Sequence, residues 1–184
     1  MTALLLIDIQ QGLQETEFYG TERTNPLAEE NCQKILKVFR ENSWPLFHIQ
    51  HCSTNPESPL HPTKKSNAFH PLVQPLEGEP VITKNVNSAF IGTDLENHLN
   101  MQDISKLVIV GLTTEHCVST STRMAANLGF KVTLISDATA AFDKVGIDGN
   151  RIPAAVIHDI ALANLKDEFA TIKTTEAFLS EISN

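Results

Sequence analysis

Ala3-Leu-Leu-Leu-Ile7, followed at once by Asp8, is an unbroken apolar run of strand length. A strand with one wet face alternates polar and apolar side chains, whereas a continuous apolar run needs cover on both faces. Leu107-Val-Ile-Val110 has the same character, and residues 46–49, 81–83, 132–135 and 170–172 are weaker relatives. Between these segments the apolar spacing turns helical. Asn25 and Pro26 read as N-cap and first helical residue of a segment carrying Leu27, Ala28, Cys32, Ile35, Leu36 and Phe39. Thr93 or Asp94 can cap a short helix with Leu95 and Leu99, and residues 115–128 form a third helix, closed by Gly129. Residues 152–165 and 175–182 supply a fourth and a fifth. Strands alternating with helices predict an α/β protein with right-handed crossovers, a parallel sheet sandwiched between helix layers.

A chain of 184 residues is expected to form one domain, residues 1–184. Its 41% hydrophobic and 20% charged residues exclude disordered, collagen-like and coiled-coil classes. Fourteen Lys and Arg stand against 22 Asp and Glu, a net charge of −8, and Lys64-Lys65 is the densest basic spot. No electrostatic footprint for nucleic acid or anionic lipid follows from that pattern. The first apolar run is too short for a signal peptide or a membrane span. Cys32, Cys52 and Cys117 are odd in number and without a CxxC, so neither a disulfide framework nor a zinc finger is expected, and the cytoplasm is the expected location. Residues 51–80 hold six of the nine prolines and no sustained period. A loop that long in a compact domain is expected to be functional or part of an interface.

The informative feature is positional. Ligands of parallel α/β sheets bind outside the carboxyl ends of the strands. Asp8 follows the first apolar run, Lys84 follows Val81-Ile-Thr83, and Cys117 follows the run ending at Leu112. All three therefore belong to one edge of the sheet. Singly, each has a plain reading: Cys117 as a small buried residue, Asp8 as a turn former before Gln10-Gln11-Gly12, Lys84 as a solvated charge. The triplet of complementary chemistry carries the functional inference. In Gly111-Leu-Thr-Thr-Glu-His-Cys117-Val118 the chain leaves a strand and enters a helix, where the dipole's positive end and a nearby ammonium are expected to favour a thiolate.

At these residues the sequence resembles the isochorismatase-like cysteine hydrolases, closest in kind to nicotinamidases and N-carbamoylsarcosine amidohydrolase. The matching blocks are Leu4-Leu-Leu-Ile-Asp8-Ile-Gln10, Thr83-Lys84-Asn-Val-Asn-Ser88-Ala-Phe90-Ile-Gly-Thr93-Asp-Leu95 and Val110-Gly111-Leu-Thr-Thr114-Glu-His-Cys117-Val118, with Asp137-Ala138 later in the chain. The resemblance implies a three-layer α/β/α Rossmann-like fold with a six-stranded parallel sheet, a catalytic triad of Asp8, Lys84 and Cys117, and a non-proline cis peptide at Leu112–Thr113. It implies an oxyanion site made by the backbone N–H groups of Thr113 and Cys117. It further implies hydrolysis of a small amide or ureido C–N bond through a thioester, with the substrate as the partner and a homo-oligomer, dimer or tetramer, as the assembly. The nucleophilic cysteine separates this chain from vinyl-ether-cleaving isochorismatases, which generally lack it. Hydrolysis of a vinyl ether or ester is the rival reading within enzymes, and a redox-sensing or binding module using Cys117 is the rival outside them. No G-x-G-x-x-G follows the first strand, so a dinucleotide is not expected.

Seven histidines raise the question of a metal. His48 and His51 fall on opposite faces of an extended segment, His61 and His70 lie in the Pro-rich stretch, and none has an acidic neighbour at a ligand interval. Gln50-His51-Cys52-Ser53 stands where metal-binding nicotinamidases carry Asp-x-His, so neither a metal nor another cofactor is expected. His116 is expected to point away from the sulfur. Gln10, two residues beyond Asp8, is expected to share its face and contact substrate. Phe90 is expected to line the pocket by resemblance, with Phe18, Phe69 or His70 closing it.

Overall fold

The computed structural model describes residues 1–182. The main sheet consists of β1 (Thr2–Ile7), β2 (Leu46–His51), β3 (Val81–Lys84), β4 (Lys106–Leu112) and β5 (Lys131–Ala140), and the later strand Thr171–Lys173 completes it. A two-stranded antiparallel hairpin, β6 (Lys144–Val145) and β7 (Arg151–Ile152), lies between β5 and that last strand, β8, in the chain. The spatial order is β3-β2-β1-β4-β5-β8, and every pairing is parallel. The predicted α/β/α fold is therefore the observed one.

Among the described residues six α-helices accompany the strands: α1 (Thr16–Tyr19), α2 (Ala28–Glu41), α3 (Leu95–Met101), α4 (Ser119–Asn127), α5 (Ala154–Leu165) and α6 (Thr175–Ile182). The period of two along each strand divides the core into two layers. Leu5, Ile7 and Ile109 face Leu95 and Leu99 of α3, Ala125 of α4 and Leu165 of α5. Leu4, Leu6, Val108 and Val110 face Ile35 and Phe39 of α2 and Phe178 of α6. That is why the apolar runs are continuous: each side chain enters one core or the other.

Helix α2 begins at Ala28, two residues later than Asn25 as N-cap would place it. Asn25 instead takes a left-handed conformation (φ 46) and donates its side-chain amide to Ser136 O and Thr139 O at 3.0 and 2.7 Å. The tertiary partners outcompete the local cap. The third helix opens as one wide π turn, Thr114–Val118, before α4, and ends ahead of Gly129 at φ 92. Gly111 sits opposite Ile7 in the β1–β4 pairing, at φ 124. A side chain there would overlap the Ile7 carbonyl oxygen, so only glycine lets the two strands run together to the edge where Asp8 leaves. No helix of the described residues is long and apolar enough to cross a membrane.

Candidate active site

Strand β1 lies between β2 and β4, and the chain turns to one side after β1 and to the other before β4. Crevices form at such switch points. Asp8 leaves β1 in a left-handed conformation (φ 51) that aspartate tolerates better than most residues, and its N–H is held by Ile49 O at 3.0 Å. Lys84 ends β3, two strands away, and its neighbour in register on β2 is His51. Its long stem spans β2: Lys84 Nζ reaches Asp8 Oδ2 at 2.6 Å, His51 Nδ1 at 3.0 Å and Val86 O at 3.2 Å. The Lys84 side chain is wholly buried and that of Asp8 nearly so. Cys117 arrives from the π turn after β4, with its sulfur, an Asp8 oxygen and a His51 nitrogen all within 4.8 Å of one another. Topology thus brings Asp8, Lys84 and Cys117 together. The Leu112–Thr113 peptide just before the turn is cis.

Asp8 and Cys117 open onto a cavity of about 260 Å³, with Lys84 buried out of its lining. Leu13, Leu60 and Leu112 give it an apolar wall, while Tyr19, Ser58, Asn87 and His51 add polar groups. His116 stands at the rim with half its side chain exposed, its ring beside the Thr113 hydroxyl (3.3 Å) and Glu115 (3.7 Å).

The electrostatics correct one expectation. Burial raises the Cys117 thiol well above its ordinary pKa, the Asp8 charge adds to that, and Lys84 opposes without prevailing. Lys84 is neutralised by Asp8 at 2.6 Å, so its field at the sulfur is largely spent. The resting group is a neutral thiol rather than the thiolate that the helix entrance suggests. Asp8 Oδ2 holds the ammonium, but Asp8 Oδ1 is buried and accepts no hydrogen bond. An open acceptor beside a protonated sulfur is the arrangement a general base requires. Burial, then Lys84, push the His51 imidazole down, against the smaller pull of Asp8, so His51 is neutral near pH 7. Burial pushes the Tyr19 phenol up to about 12, against the pull of the Ser58 hydroxyl.

Asp8, His51 and Cys117 have the donor types and the closeness of a metal site. The Lys84 ammonium, however, already lies within hydrogen-bond distance of two of them. A divalent ion would have to take the same space against a positive charge. The donor set does not fit a metal.

Gln10 and Phe90 are not in the cavity wall. The Gln10 side chain is fully buried: its Nε2 donates to His51 O and Asn67 O (3.1 and 2.7 Å), and its Oε1 accepts from His51 N (2.9 Å). It clamps the Pro-rich segment against the end of β2, because no water reaches a side chain there to satisfy the amide otherwise. Phe90 is core, its ring 6.1 Å from Phe130. Phe69 packs on His48, His70 accepts from Leu72 N at 3.4 Å to cap a short turn, and exposed Phe18 edges onto Tyr19. Asp137 receives the N–H and hydroxyl of Thr175 and anchors α6. His51 was set aside in the sequence as a metal candidate, yet it ends β2 as Lys84 ends β3, and that shared position could have found it. Tyr19, Ser58 and Leu60 carry no comparable signal. They reach the site through the loops at residues 8–19 and 51–80, and so the Pro-rich segment supplies part of the cavity wall.

The family model described as "Isochorismatase domain" matches residues 2–177. The chain belongs to the isochorismatase family. An uncharacterized isochorismatase family protein of Bacillus subtilis, YrdC, is 48% identical over 97% of this chain and 95% of its own length. A solved isochorismatase-family structure from Chromobacterium violaceum superposes with a TM-score of 0.95 at 40% identity, covering 100% of this chain and 94% of that one. Nicotinamidase 3 of Arabidopsis thaliana is more distant, 25% identical over 92% of this chain and 83% of its own. This isochorismatase-family chain is accordingly a hydrolase, with the cavity at the switch point as its candidate active site.

Proposed function

We propose that this family member hydrolyses a small amide or ureido C–N bond through a thioester on Cys117, with Asp8 as base and acid and Lys84 as electrostatic support. The observation that carries the reading is a buried Asp8 carboxylate with an oxygen within 4.8 Å of a neutral thiol, its Oδ2 held by a buried ammonium and its Oδ1 open. As the sulfur attacks the carbonyl carbon, its proton passes to Asp8, so a free thiolate is never stored. The tetrahedral oxyanion would be met by the N–H groups of Thr113 and Cys117, donors that are typically worth about 3 kcal/mol of barrier each. Collapse breaks the C–N bond, and Asp8 returns the proton to the leaving nitrogen. Water then gives a proton to Asp8 and attacks the thioester, and the proton goes back to the sulfur as the acid product departs. Lys84 holds Asp8 Oδ2 by a hydrogen bond throughout and keeps the carboxylate oriented between turnovers.

The similarity to Nicotinamidase 3 supports the amide reading, and the small, half-apolar cavity suits a compact substrate. The test is ammonia release across a panel of small primary amides and ureides, with acyl-Cys117 mapped by mass spectrometry. Turnover with an acyl mass on Cys117 is expected. Hydrolysis of esters or vinyl ethers alone, or full amide turnover by Cys117→Ala, would overturn the reading.

A further inference from the structure

The cavity is polar but holds no fixed positive charge of its own. Among the described residues its lining contains neither lysine nor arginine. Two ammonium groups lie nearby and neither is in the lining: Lys84 is wholly buried and balanced by Asp8 at 2.6 Å, and Lys144, 3.4 Å from the Tyr19 carbonyl oxygen, is balanced by Glu115 at 3.3 Å. An ammonium has only donors to offer, so its 3.0 Å contact makes His51 Nδ1 an acceptor and leaves the ring's hydrogen on Nε2. His51 thus enters the cavity wall as a neutral N–H donor. Tyr19, Ser58, Asn87 and Thr113 are neutral as well, and the half-exposed His116 at the rim has a Glu115 oxygen 3.7 Å from its ring. Against them stands one carboxylate oxygen, Asp8 Oδ1, buried and without a hydrogen-bond partner.

We infer that the site selects uncharged substrates, a neutral primary amide or ureide whose NH₂ group satisfies Asp8 Oδ1, and that it rejects acids of the same size. This selection rests on the amide reading for the placement of the NH₂ group, but its electrostatic half does not. A carboxylate in the cavity would lose its water, find no cation, and face a bare carboxylate oxygen. An amide N–H offers the missing hydrogen bond to that oxygen, and its carbonyl can take the neutral donors. N-carbamoyl carboxylates and other acidic substrates are therefore poor fits, although their reacting groups are chemically suitable.

The sulfur itself can report this without any turnover. Iodoacetamide and iodoacetate are matched in size and both alkylate a thiol with loss of iodide, but only the second carries a charge. Their rates at Cys117 are measured on the intact chain at pH 8, by mass spectrometry that separates Cys117 from Cys52 and Cys32, and their ratio is divided by that for free cysteine. A preference for iodoacetamide about tenfold or more above free cysteine is expected. A normalised ratio of one or less overturns the inference. Asp8→Asn, checked for folding by circular dichroism, removes the anion and leaves Lys84 unbalanced, so its normalised ratio should fall below one; an unchanged ratio would overturn the stated cause. If Asp8→Asn does not fold, the wild-type ratio decides alone. Neutral and acidic amides of equal size are then compared for ammonia release. Charge-selective alkylation with no amide hydrolysed would defeat the proposed function and leave the selection standing; preferred turnover of the acids would do the reverse.

Discussion

Strand β2 carries two histidines three residues apart, and each belongs to a buried charge network of a different kind. His48 meets Glu79 at 2.9 Å, and Glu79 also takes Arg40 through Nε and Nη2 (2.7 and 2.8 Å) and the Leu76 N–H (2.9 Å). Both oxygens of that carboxylate are filled. Burial alone would raise its pKa, but Arg40, the Leu76 N–H and His48 outweigh burial and hold it at about 2. His51 meets Lys84, and Lys84 meets Asp8 through one oxygen only. The first network ties residues 76–79 to α2 and β2 and leaves its carboxylate no open oxygen; its unpartnered atom is the buried His48 Nδ1. The second withholds a hydrogen bond from a buried carboxylate and keeps a thiol protonated beside it. An unsatisfied buried acceptor costs about 1–3 kcal/mol, a cost that structure alone gives no reason to carry. The difference between a clamp and a reactive centre is one open carboxylate oxygen with a thiol in its neighbourhood.

The sharpest way to break that contrast is at the sulfur. Cys117→Ala should lower turnover by about 10⁴-fold or more while circular dichroism and Tm stay near wild type; a modest loss would mean that the open network is not the reactive one. Next in size is stability at the ammonium. Lys84→Met strands Asp8 in the interior and should cost about 3 kcal/mol in urea denaturation, whereas Arg40→Met leaves Glu79 two partners and a more exposed setting, and should cost about half as much. Equal costs would erase the distinction between the two networks.

Smaller effects follow from titration. Because the Cys117 thiol lies well above its ordinary value of 9.0, its alkylation by iodoacetamide should still be climbing beyond pH 9, and at pH 8 should run about tenfold or more below free cysteine. A plateau below pH 8 would mean a stored thiolate. The clamp should show itself as loss of stability in acid. His48 is pushed down from 6.5, chiefly by burial, so the unfolded chain takes up the proton first: its contribution is intact above pH 6.5 and declines as pH falls toward the folded value. Glu79 is lowered from 4.5 to about 2, so its contribution is present above pH 4.5 and fades between there and pH 2. His48→Gln should flatten the upper window and Glu79→Gln the lower, by about 1 kcal/mol each in denaturation midpoints followed against pH.

Much of the frame was legible beforehand. Six apolar segments became the six strands, and their continuity reported a sheet covered twice. Asp8, Lys84 and Cys117 were visible because each stands just beyond a strand, and parallel topology carries such positions to one edge whatever their separation in sequence. Illegible were the features that depend on a competition between partners. Asn25 looked like a cap until Ser136 and Thr139 claimed its amide. Gln10 looked like a substrate contact, but its amide was needed by His51 and Asn67. Tyr19, Ser58 and Leu60 reached the cavity on loops whose course no periodicity records.

Order of residues along the chain determined the layered sheet and the edge where the reactive groups gather, because burial on two faces and strand direction are written in local patterns. Tertiary structure decided the chemical state of those groups. Whether a thiol ionises, which oxygen of a carboxylate stays open and which histidine tautomer faces a cavity depend on distances of a few ångströms between segments far apart in sequence. In a low-dielectric interior those distances set the energies, and no local pattern encodes them.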